Sequence, residues 1–274
     1  MTSTVQGGVS ASRGAAESSR AATVLKGAVG ALGLVLLWQL IVESGVLKGG
    51  LDVPVWEIAS SIVTGFSGGE LASAFLSTVQ AWATGLAICV LLGSSAGIMI
   101  GLSRWADAAT RIVVDFVRPI PSVALVPVVV VFFGIGIKVQ VILVVLASVW
   151  PVLFNARYGV QNIDPRWIEE SQLMGLGRLA VIRRVILPGA LPSILTGVRT
   201  AASIAIIVAV AAELIVGSPG LGYFVNLMQQ AVRPADAYAG IVVAGMFGYV
   251  VHLGLGWLER RIVGWQLAST EGRL

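Results

Sequence analysis

Long apolar stretches separated by short polar segments make up most of the chain. Each of six such stretches is close to the roughly 20 residues that a helix needs to cross the hydrocarbon core of a bilayer. They lie at about residues 27–47, 75–102, 119–137, 139–156, 191–216 and 238–258. Because the stretches are continuously apolar rather than alternating in polarity, they predict helices and not barrel strands. The pattern predicts an all-α integral membrane protein with six transmembrane helices.

The composition supports a membrane protein and excludes some kinds of site. Of the 274 residues, 57% are hydrophobic and 12% are charged, a balance that soluble domains of this size rarely reach. Cys89 is the single cysteine, which excludes an internal disulfide and a cysteine-based metal cluster. The basic residues fall in short loops rather than on a polar module, so they indicate membrane orientation and not nucleic-acid binding.

The distribution of basic residues predicts which side of the membrane each loop occupies. Six spans place both termini on the same side, together with 15 of the 18 Lys and Arg residues. The opposite side holds only Lys48, Lys138 and Arg233. Basic loops are retained in the cytoplasm, so both termini are predicted to be cytoplasmic. Residues 1–24, rich in Ser, Ala and Gly, are expected to be a disordered cytoplasmic tail, 25–265 the transmembrane domain, and 266–274 a second cytoplasmic tail.

A polar segment, residues 162–188, interrupts the apolar pattern between the fourth and fifth stretches. Asp164 followed by Pro165 is typical of a helix start, and Gly175 with Gly177 can end that helix. Glu169 near the amino end suits the helix dipole. On this spacing alone, the helix is either a docking surface for a cytoplasmic partner or a solvated loop helix. We also expect Pro188 and Pro192 to bend the chain where the fifth stretch begins.

This segment resembles the cytoplasmic loop, called the EAA motif, in the membrane subunits of binding-protein-dependent ATP-binding-cassette importers. That motif has a Glu, two usually small residues and a Gly six positions after the Glu. Ten residues later come an aliphatic residue and then Leu-Pro. The matching residues here are Glu169, Gly175, Val185, Leu187 and Pro188. Glu170 and Ser171 stand at the two small positions, which makes the contact face more acidic without changing the spacing.

The resemblance covers about residues 77–265 and is closest to the subfamily that imports nitrate, sulfonates, taurine, bicarbonate and related small anions. Besides the loop, it rests on six short segments: 119–122, 133–136, 189–192, 212–215, 220–223 and 258–261. It implies the type I importer (MetI-like) permease fold in the plasma membrane of a prokaryote. The implied partners are a second copy of the permease, two copies of an ATPase subunit that binds ATP and Mg, and an extracytoplasmic solute-binding protein.

In such importers the loop helix is a coupling helix that sits in a groove of the ATPase, and breaking this contact should uncouple the subunits without unfolding them. The resemblance makes these residues candidates for that contact: Asp164, Ile168, Glu169, Glu170, Ser171, Leu173, Gly175, Leu187 and Pro188. We expect Gly175 to be needed because a helix end packed closely on another backbone favours a residue without Cβ.

The chain has no phosphate-binding loop of its own. Such a loop requires Gly, four residues, Gly, Lys and then Ser or Thr. The lysines are instead followed by Gly27, Gly49 and Val139. The chain is therefore expected to be a transport subunit without enzymatic activity or a cofactor of its own, and a partner must hydrolyse the ATP.

Three residues are weaker candidates for the solute pathway or a gate: Pro121, Ser122 and Glu213. Pro121 and Ser122 either line a pathway or only pack between helices. An ionisable residue such as Glu213 at membrane depth is a functional candidate by default, acting as a gate or by hydrogen bonding at a helix end, or else extending to the interface. Two other functions stay open on the residues alone, an ATP-independent secondary transporter or channel and a membrane-anchored scaffold.

Overall fold

The computed structural model describes residues 26–27, 29–30, 32–46, 52–117 and 120–271, without the side chains of 113 and 265–271. The predicted tail at 1–24 lies outside these residues. The chain divides into two compact units, residues 1–61 and 62–274. In the first, helix α1 covers Leu32–Glu43, and the Trp38 indole donates to the Val53 carbonyl at 3.1 Å. At this length α1 is shorter than a span, so the first predicted crossing is not confirmed.

Helices make up the regular structure of the described residues after α1, and no strand occurs among them. Their bounds are α2 Val55–Ser67, α3 Glu70–Leu102, α4 Arg104–Val117, α5 Val126–Phe133, α6 Ile137–Gln161, α7 Pro165–Leu173, α8 Arg178–Val181, α9 Leu187–Val216, α10 Leu221–Gln230 and α11 Pro234–Glu271. A 3-10 turn at Ser122–Leu125 precedes α5, and a π-helical segment at Ile182–Ile186 joins α8 to α9. The all-α class predicted from the sequence is confirmed.

Four helical segments are long and apolar enough to cross a membrane, namely α3, α6, Arg178–Val216 and Pro234–Gly264. A fifth crossing is possible where α4 and the segment Ser122–Phe133 together form a pair bent by 74°. The structure therefore supports four to five of the six predicted spans.

Close helix packing fixes the directions of the central helices. Glycines of α3 contact β-branched residues of α6 at a constant sequence offset, with Gly93 against Val152 and Gly101 against Val160. A Cβ atom at either glycine would lie 2.8 Å from the valine Cβ. This offset makes α3 and α6 parallel. Helix α9 runs antiparallel to α6, since Gly159 meets Ala190 at the end where α6 finishes.

The third predicted span, residues 119–137, differs most from the expectation. Its helical part, α5, has 8 residues, too few to cross a bilayer alone. Pro121 and Pro127 lack backbone N–H groups, and Gly134, at φ 73, ends the helix in a left-handed conformation. At Pro188 and Pro192 the helix is not interrupted as expected, because Arg178–Val216 is one helical segment. Pro188 sits in the first turn of α9, where a missing N–H group costs little.

Candidate functional site

Helix α7 is a short, well-capped helix at the end of the bundle where α6 finishes and α9 begins. The Asp164 carboxylate accepts a hydrogen bond from the Arg166 backbone N–H at 2.9 Å, and Pro165 occupies the first turn. At the other end, the Gly175 N–H donates to Gln172 O at 2.9 Å and the Leu176 N–H to Ser171 O at 3.1 Å. This pair of bonds forms a Schellman motif. Both predicted ends of the helix are confirmed.

The backbone conformation of Gly175 gives a reason for glycine that the sequence did not reveal. No atom lies within 4 Å of the position that a Cβ would occupy, so close packing within this chain does not demand glycine. The backbone conformation of Gly175 does demand glycine, because its φ is 80 and left-handed backbone is costly for residues with a Cβ. Gly177 does not have a positive φ; its backbone is extended, with φ −67.

The inner side of α7 packs on α8 and on the π-helical segment that leads into α9. Ser171 is buried, and its hydroxyl donates to the Trp167 carbonyl at 2.6 Å. Ile168 packs against a hydrophobic cluster that includes Ile186 and Ala190. Leu187 and Pro188 are half-buried in the turn that follows the π-helical segment. Helix α7 is thereby attached through apolar contacts to the helical segment that leads into α9, rather than held only by its flanking loops.

The outer side of α7 is exposed and partly apolar. Leu173 is 89% exposed and Met174 78% exposed. Trp167, Glu169 and Glu170 are also exposed. We call these five residues the α7 surface. Glu169 has no hydrogen bond or ion pair with another residue that the structure describes, so its carboxylate is available to a partner.

Beside the α7 surface, a shallow groove separates α7 from the start of α9. It is lined by Trp167, Glu170, Ser171, Met174, Arg184, Val185, Pro188 and Gly189. The sequence prediction included Glu170, Ser171 and Pro188 of these and missed Trp167, Met174 and Arg184. Trp167, Glu170 and Met174 have helical spacing, so the sequence already contained an apolar and acidic stripe that could have identified them.

At the opposite end of α9, Glu213 is the centre of a buried polar junction. Its Oε2 atom accepts hydrogen bonds from the Thr78 hydroxyl at 3.0 Å and from the Gly222 N–H at 2.9 Å. The Thr78 hydroxyl oxygen in turn accepts from the Leu221 N–H at 2.8 Å. Two amide groups at the start of α10 are therefore capped by side chains of α3 and α9. Glu213 is fully buried, so the interpretation that its side chain extends to the membrane interface is wrong. The predicted hydrogen bonding at a helix end is confirmed.

A second buried side chain fixes the loop between α9 and α10. Gln140 of α6 donates from Nε2 to the Ser218 hydroxyl at 2.7 Å and to the Pro219 carbonyl at 3.1 Å. Sequence reasoning missed Thr78 and Gln140. The signal available was that both are polar residues within or next to apolar stretches. We call Thr78, Gln140, Glu213 and Ser218 the polar junction.

The other two pathway candidates lie apart from these hydrogen bonds. Pro121 is exposed and Ser122 half-buried, and the Ala124 N–H donates to the Pro121 carbonyl at 3.0 Å. Neither residue shares a hydrogen bond with Glu213. In the described part of the chain, no group of three or more His, Cys, Asp or Glu side chains is arranged to hold a metal ion.

Comparisons with known proteins agree with this architecture. The sequence profile of the family described as "Binding-protein-dependent transport system inner membrane component" matches residues 89–264. The taurine transport system permease protein TauC of Escherichia coli (strain K12) is 37% identical over 176 residues, and the match covers 64% of this chain and 64% of TauC. The putative aliphatic sulfonates transport permease protein SsuC of the same organism is 30% identical over 249 residues, covering 86% of this chain and 90% of SsuC.

A third relative and two solved structures extend the comparison. The bicarbonate transport system permease protein CmpB of Synechococcus elongatus is 28% identical, with 85% of this chain and 87% of CmpB covered. An inward-facing structure of the MetNI methionine ABC transporter matches with a TM-score of 0.61 at 18% identity, covering 70% of this chain and 95% of that one. An amino acid ABC transporter matches with a TM-score of 0.59 at 19% identity, covering 73% of this chain and 98% of that one. At these identities the two structures indicate a shared fold alone.

Proposed function

The chain belongs to the family of binding-protein-dependent transport system inner membrane components, and we propose that it is the permease subunit of an ATP-driven importer for a small anionic solute. The observation that carries the proposal is α7, a helix capped at both ends that presents Trp167, Leu173 and Met174 to solvent. Apolar side chains clustered on such a surface are typical of an interface, where they are covered by a partner.

The partner proposed for α7 is a separate ATPase subunit, which binds ATP and Mg. The permease sequence lacks a phosphate-binding loop, so the energy of hydrolysis must enter through a protein contact. Glu169 and Glu170 would pair with basic residues of the ATPase groove, while the apolar part of the α7 surface fills the groove. Among the predicted coupling residues, Ile168, Ser171, Leu187 and Pro188 would then act by holding α7 against α9, and Asp164 and Gly175 by fixing its ends.

The packing of α7 suggests how movement of the ATPase would reach the membrane. Ile168 contacts the cluster that contains Ala190, near the start of α9. The helical segment continues from Arg178 to Val216, so displacement of α7 would tilt α9 as a unit. At its far end α9 carries Glu213, which is bonded to α3 and α10. Two arrangements of this bundle, inward-open and outward-open, would each be preferred by one nucleotide state of the ATPase.

The remaining features of the proposal concern assembly and orientation. We propose a homodimer that carries two ATPase subunits and receives solute from an extracytoplasmic binding protein. Six crossings, with α1 and the pair formed by α4 and α5 as two of them, would place both termini and α7 in the cytoplasm. The basic residues on that side support this orientation. The relatives transport taurine, aliphatic sulfonates and bicarbonate, as their names state, which supports a small anion as the solute.

The test is association with an ATPase after substitution of the most exposed residue of α7. The permease is purified in detergent with the ATPase subunit, comparing wild type with Leu173→Glu. The matched control is Val232→Glu, because Val232 is 85% exposed and lies between α10 and α11 rather than at α7. Leu173→Glu should reduce ATPase association about tenfold, the loss expected from about 1.4 kcal/mol at one contact residue.

The control should bind as wild type does, and both variants should remain folded because both sites are exposed. Equal ATPase binding and hydrolysis in all three proteins would contradict the coupling proposal. Solute flux in vesicles that contain the permease without an ATPase would instead favour an ATP-independent transporter.

A further inference from the structure

One exposed face of α9 is polar in its first half, up to Ser203, and apolar beyond it at Ile207, although the helix is long and apolar enough to cross a membrane. Thr196, Thr200 and Ser203 are exposed at helical spacing, and Arg199 lies among them. The opposite face of the helix consists of small buried residues, including Ala201, Ala202 and Ala205. A lipid-facing helix would normally show the reverse, with apolar side chains outside.

The hydroxyl groups on this face do not by themselves require water. Thr196 donates to the Pro192 carbonyl at 3.0 Å, Thr200 to the Thr196 carbonyl at 3.0 Å, and Ser203 to the Arg199 carbonyl at 3.3 Å. Such bonds to the preceding turn satisfy the hydroxyl protons within the helix. The residue that lipid tails cannot accommodate is therefore Arg199.

Arg199 is held in place by α11 but is not enclosed. Its Nη1 atom donates to Glu259 Oε2 at 3.4 Å and its Nη2 to His252 Nε2 at 2.7 Å. The side chain remains 38% exposed, and a guanidinium has more N–H donors than these two contacts occupy. A fixed cation with free donors, at the edge of a polar helix face, is suited to contact an anion.

We propose that this face of α9, formed by Thr196, Arg199, Thr200 and Ser203, lines the aqueous translocation pathway and that Arg199 contacts the anionic solute during transit. The inference rests on the proposed function, according to which the transported solute is an anion. Glu259 accepts one N–H of Arg199, so the site has little net charge. A site of that kind binds an anion weakly enough to release it, as conduction requires. Sequence reasoning missed Arg199 because Glu259 and His252 lie on another helix.

The test measures access of charged thiol reagents to this face, and it needs neither an ATPase nor transport. Ser203→Cys is introduced into the full chain in membrane vesicles. Its reaction with a sulfonate-bearing methanethiosulfonate is compared with that of the trimethylammonium analogue, added from each side in turn. Cys89 is buried, so the unsubstituted chain serves as the blank. Leu91→Cys, an exposed apolar position in α3, is the lipid-facing reference.

Ser203→Cys should react with both reagents and Leu91→Cys with neither, because a thiol reacts as the thiolate and only where water reaches it. Arg199→Gln in the Ser203→Cys background should lower the ratio of anionic to cationic reaction rates on the order of fivefold, since one charge about a helical turn away acts oppositely on the two reagents. Glu259→Gln should raise the same ratio. This second variant keeps Arg199, so the test remains decisive if Arg199→Gln does not fold.

Two results would overturn the inference. If Ser203→Cys is as unreactive as Leu91→Cys, the face is covered by lipid or protein, as it would be if Arg199 held a lipid phosphate and acyl chains lay over Ser203. If Ser203→Cys reacts but neither substitution changes the rate ratio, Arg199 does not act on anions in the pathway. Failure of the ATPase-binding experiment would leave this measurement intact, so the two proposals fail separately.

Discussion

Thr78 and Glu213 lie 135 positions apart in the sequence and share a hydrogen bond of 3.0 Å at a fully buried site. This bond joins α3 to the far end of α9, while the near end of α9 and the inner side of α7 pack into the same apolar cluster. Helix α9 is thus anchored at both ends by different kinds of contact, apolar at α7 and polar at the junction with α10. In the proposed importer, these two attachments would transmit movement of α7 to the other end of the bundle.

Removal of the Glu213 carboxylate should destabilise the protein markedly. In Glu213→Ala the Gly222 N–H loses its acceptor at a fully buried site, and such a loss costs about 1–3 kcal/mol, more for a charged acceptor. Glu213→Gln keeps an acceptor oxygen and similar shape, so we expect less than half the effect. Unfolding in detergent can be followed by the reaction of Cys89, which is buried in the folded chain. If both variants were as stable as the wild type, the junction would not contribute to the stability of the protein.

Gly220 should tolerate no side chain. A Cβ at this position would overlap the carboxyl carbon of Glu213, and the φ of Gly220 is 159. Gly220→Ala must therefore displace Glu213 from the start of α10 and should lower the unfolding temperature at least as far as Glu213→Gln does. The control is Gly245→Ala in α11, where no atom lies within 4 Å of the added Cβ. There alanine should be neutral or stabilising by up to about 1 kcal/mol, because it is the better helix former. A lower unfolding temperature for Gly245→Ala than for Gly220→Ala would contradict the geometry of the junction.

The features predicted correctly from the sequence are those with local causes. Asp164, Pro165 and Gly175 define α7 because helix caps involve residues within a turn of each other. The polar junction could not be assembled in this way, since Thr78 and Gln140 meet the α9–α10 loop only after three helices have packed. Gly175 shows the intermediate case, in which the residue was identified from its spacing but its left-handed backbone was not. Its φ depends on the hydrogen-bond pattern of the helix end, and spacing alone does not reveal it.

Substitution of Gly175 should weaken ATPase binding in an order set by backbone conformation. At φ 80, alanine costs about 1 kcal/mol relative to glycine, while asparagine tolerates the left-handed region better. Fraying of the helix end would displace Leu173 and Met174, so we expect Kd for the ATPase to rise about fivefold in Gly175→Ala and less in Gly175→Asn. Gly177→Ala is the matched control, because Gly177 has φ −67. Identical Kd values for the two alanine variants would show that the Schellman motif does not support the contact.

The six-crossing arrangement makes a specific prediction about three exposed positions. The helical segment Arg178–Val216 is the one long apolar helix between Leu173 and Val232, so these residues should lie on opposite sides of the membrane. The excess of basic residues predicts that Leu173 is cytoplasmic. Four predicted crossings, by α3, the pair formed by α4 and α5, α6 and Arg178–Val216, separate exposed Val46 from Val232, so these two residues should share the outer side. Single cysteines at the three positions are labelled with a membrane-impermeant maleimide in intact cells and in inverted vesicles, with buried Cys89 as the unreactive background.

We expect Val46→Cys and Val232→Cys to react in intact cells and Leu173→Cys to react only in inverted vesicles. Reaction of Val46→Cys together with Leu173→Cys would show that α3, the pair formed by α4 and α5, and α6 do not all cross the membrane between these two positions. Helix α1 covers only Leu32–Glu43, about 18 Å at 1.5 Å per residue, and a crossing needs about 30 Å. Additional helical residues before Leu32 would have to supply the difference. A cysteine before α1 decides whether this permease has an amino-terminal span or begins its crossings at α3. Ser19→Cys should react only in inverted vesicles if α1 crosses, and in intact cells, as Val46→Cys does, if α1 does not cross.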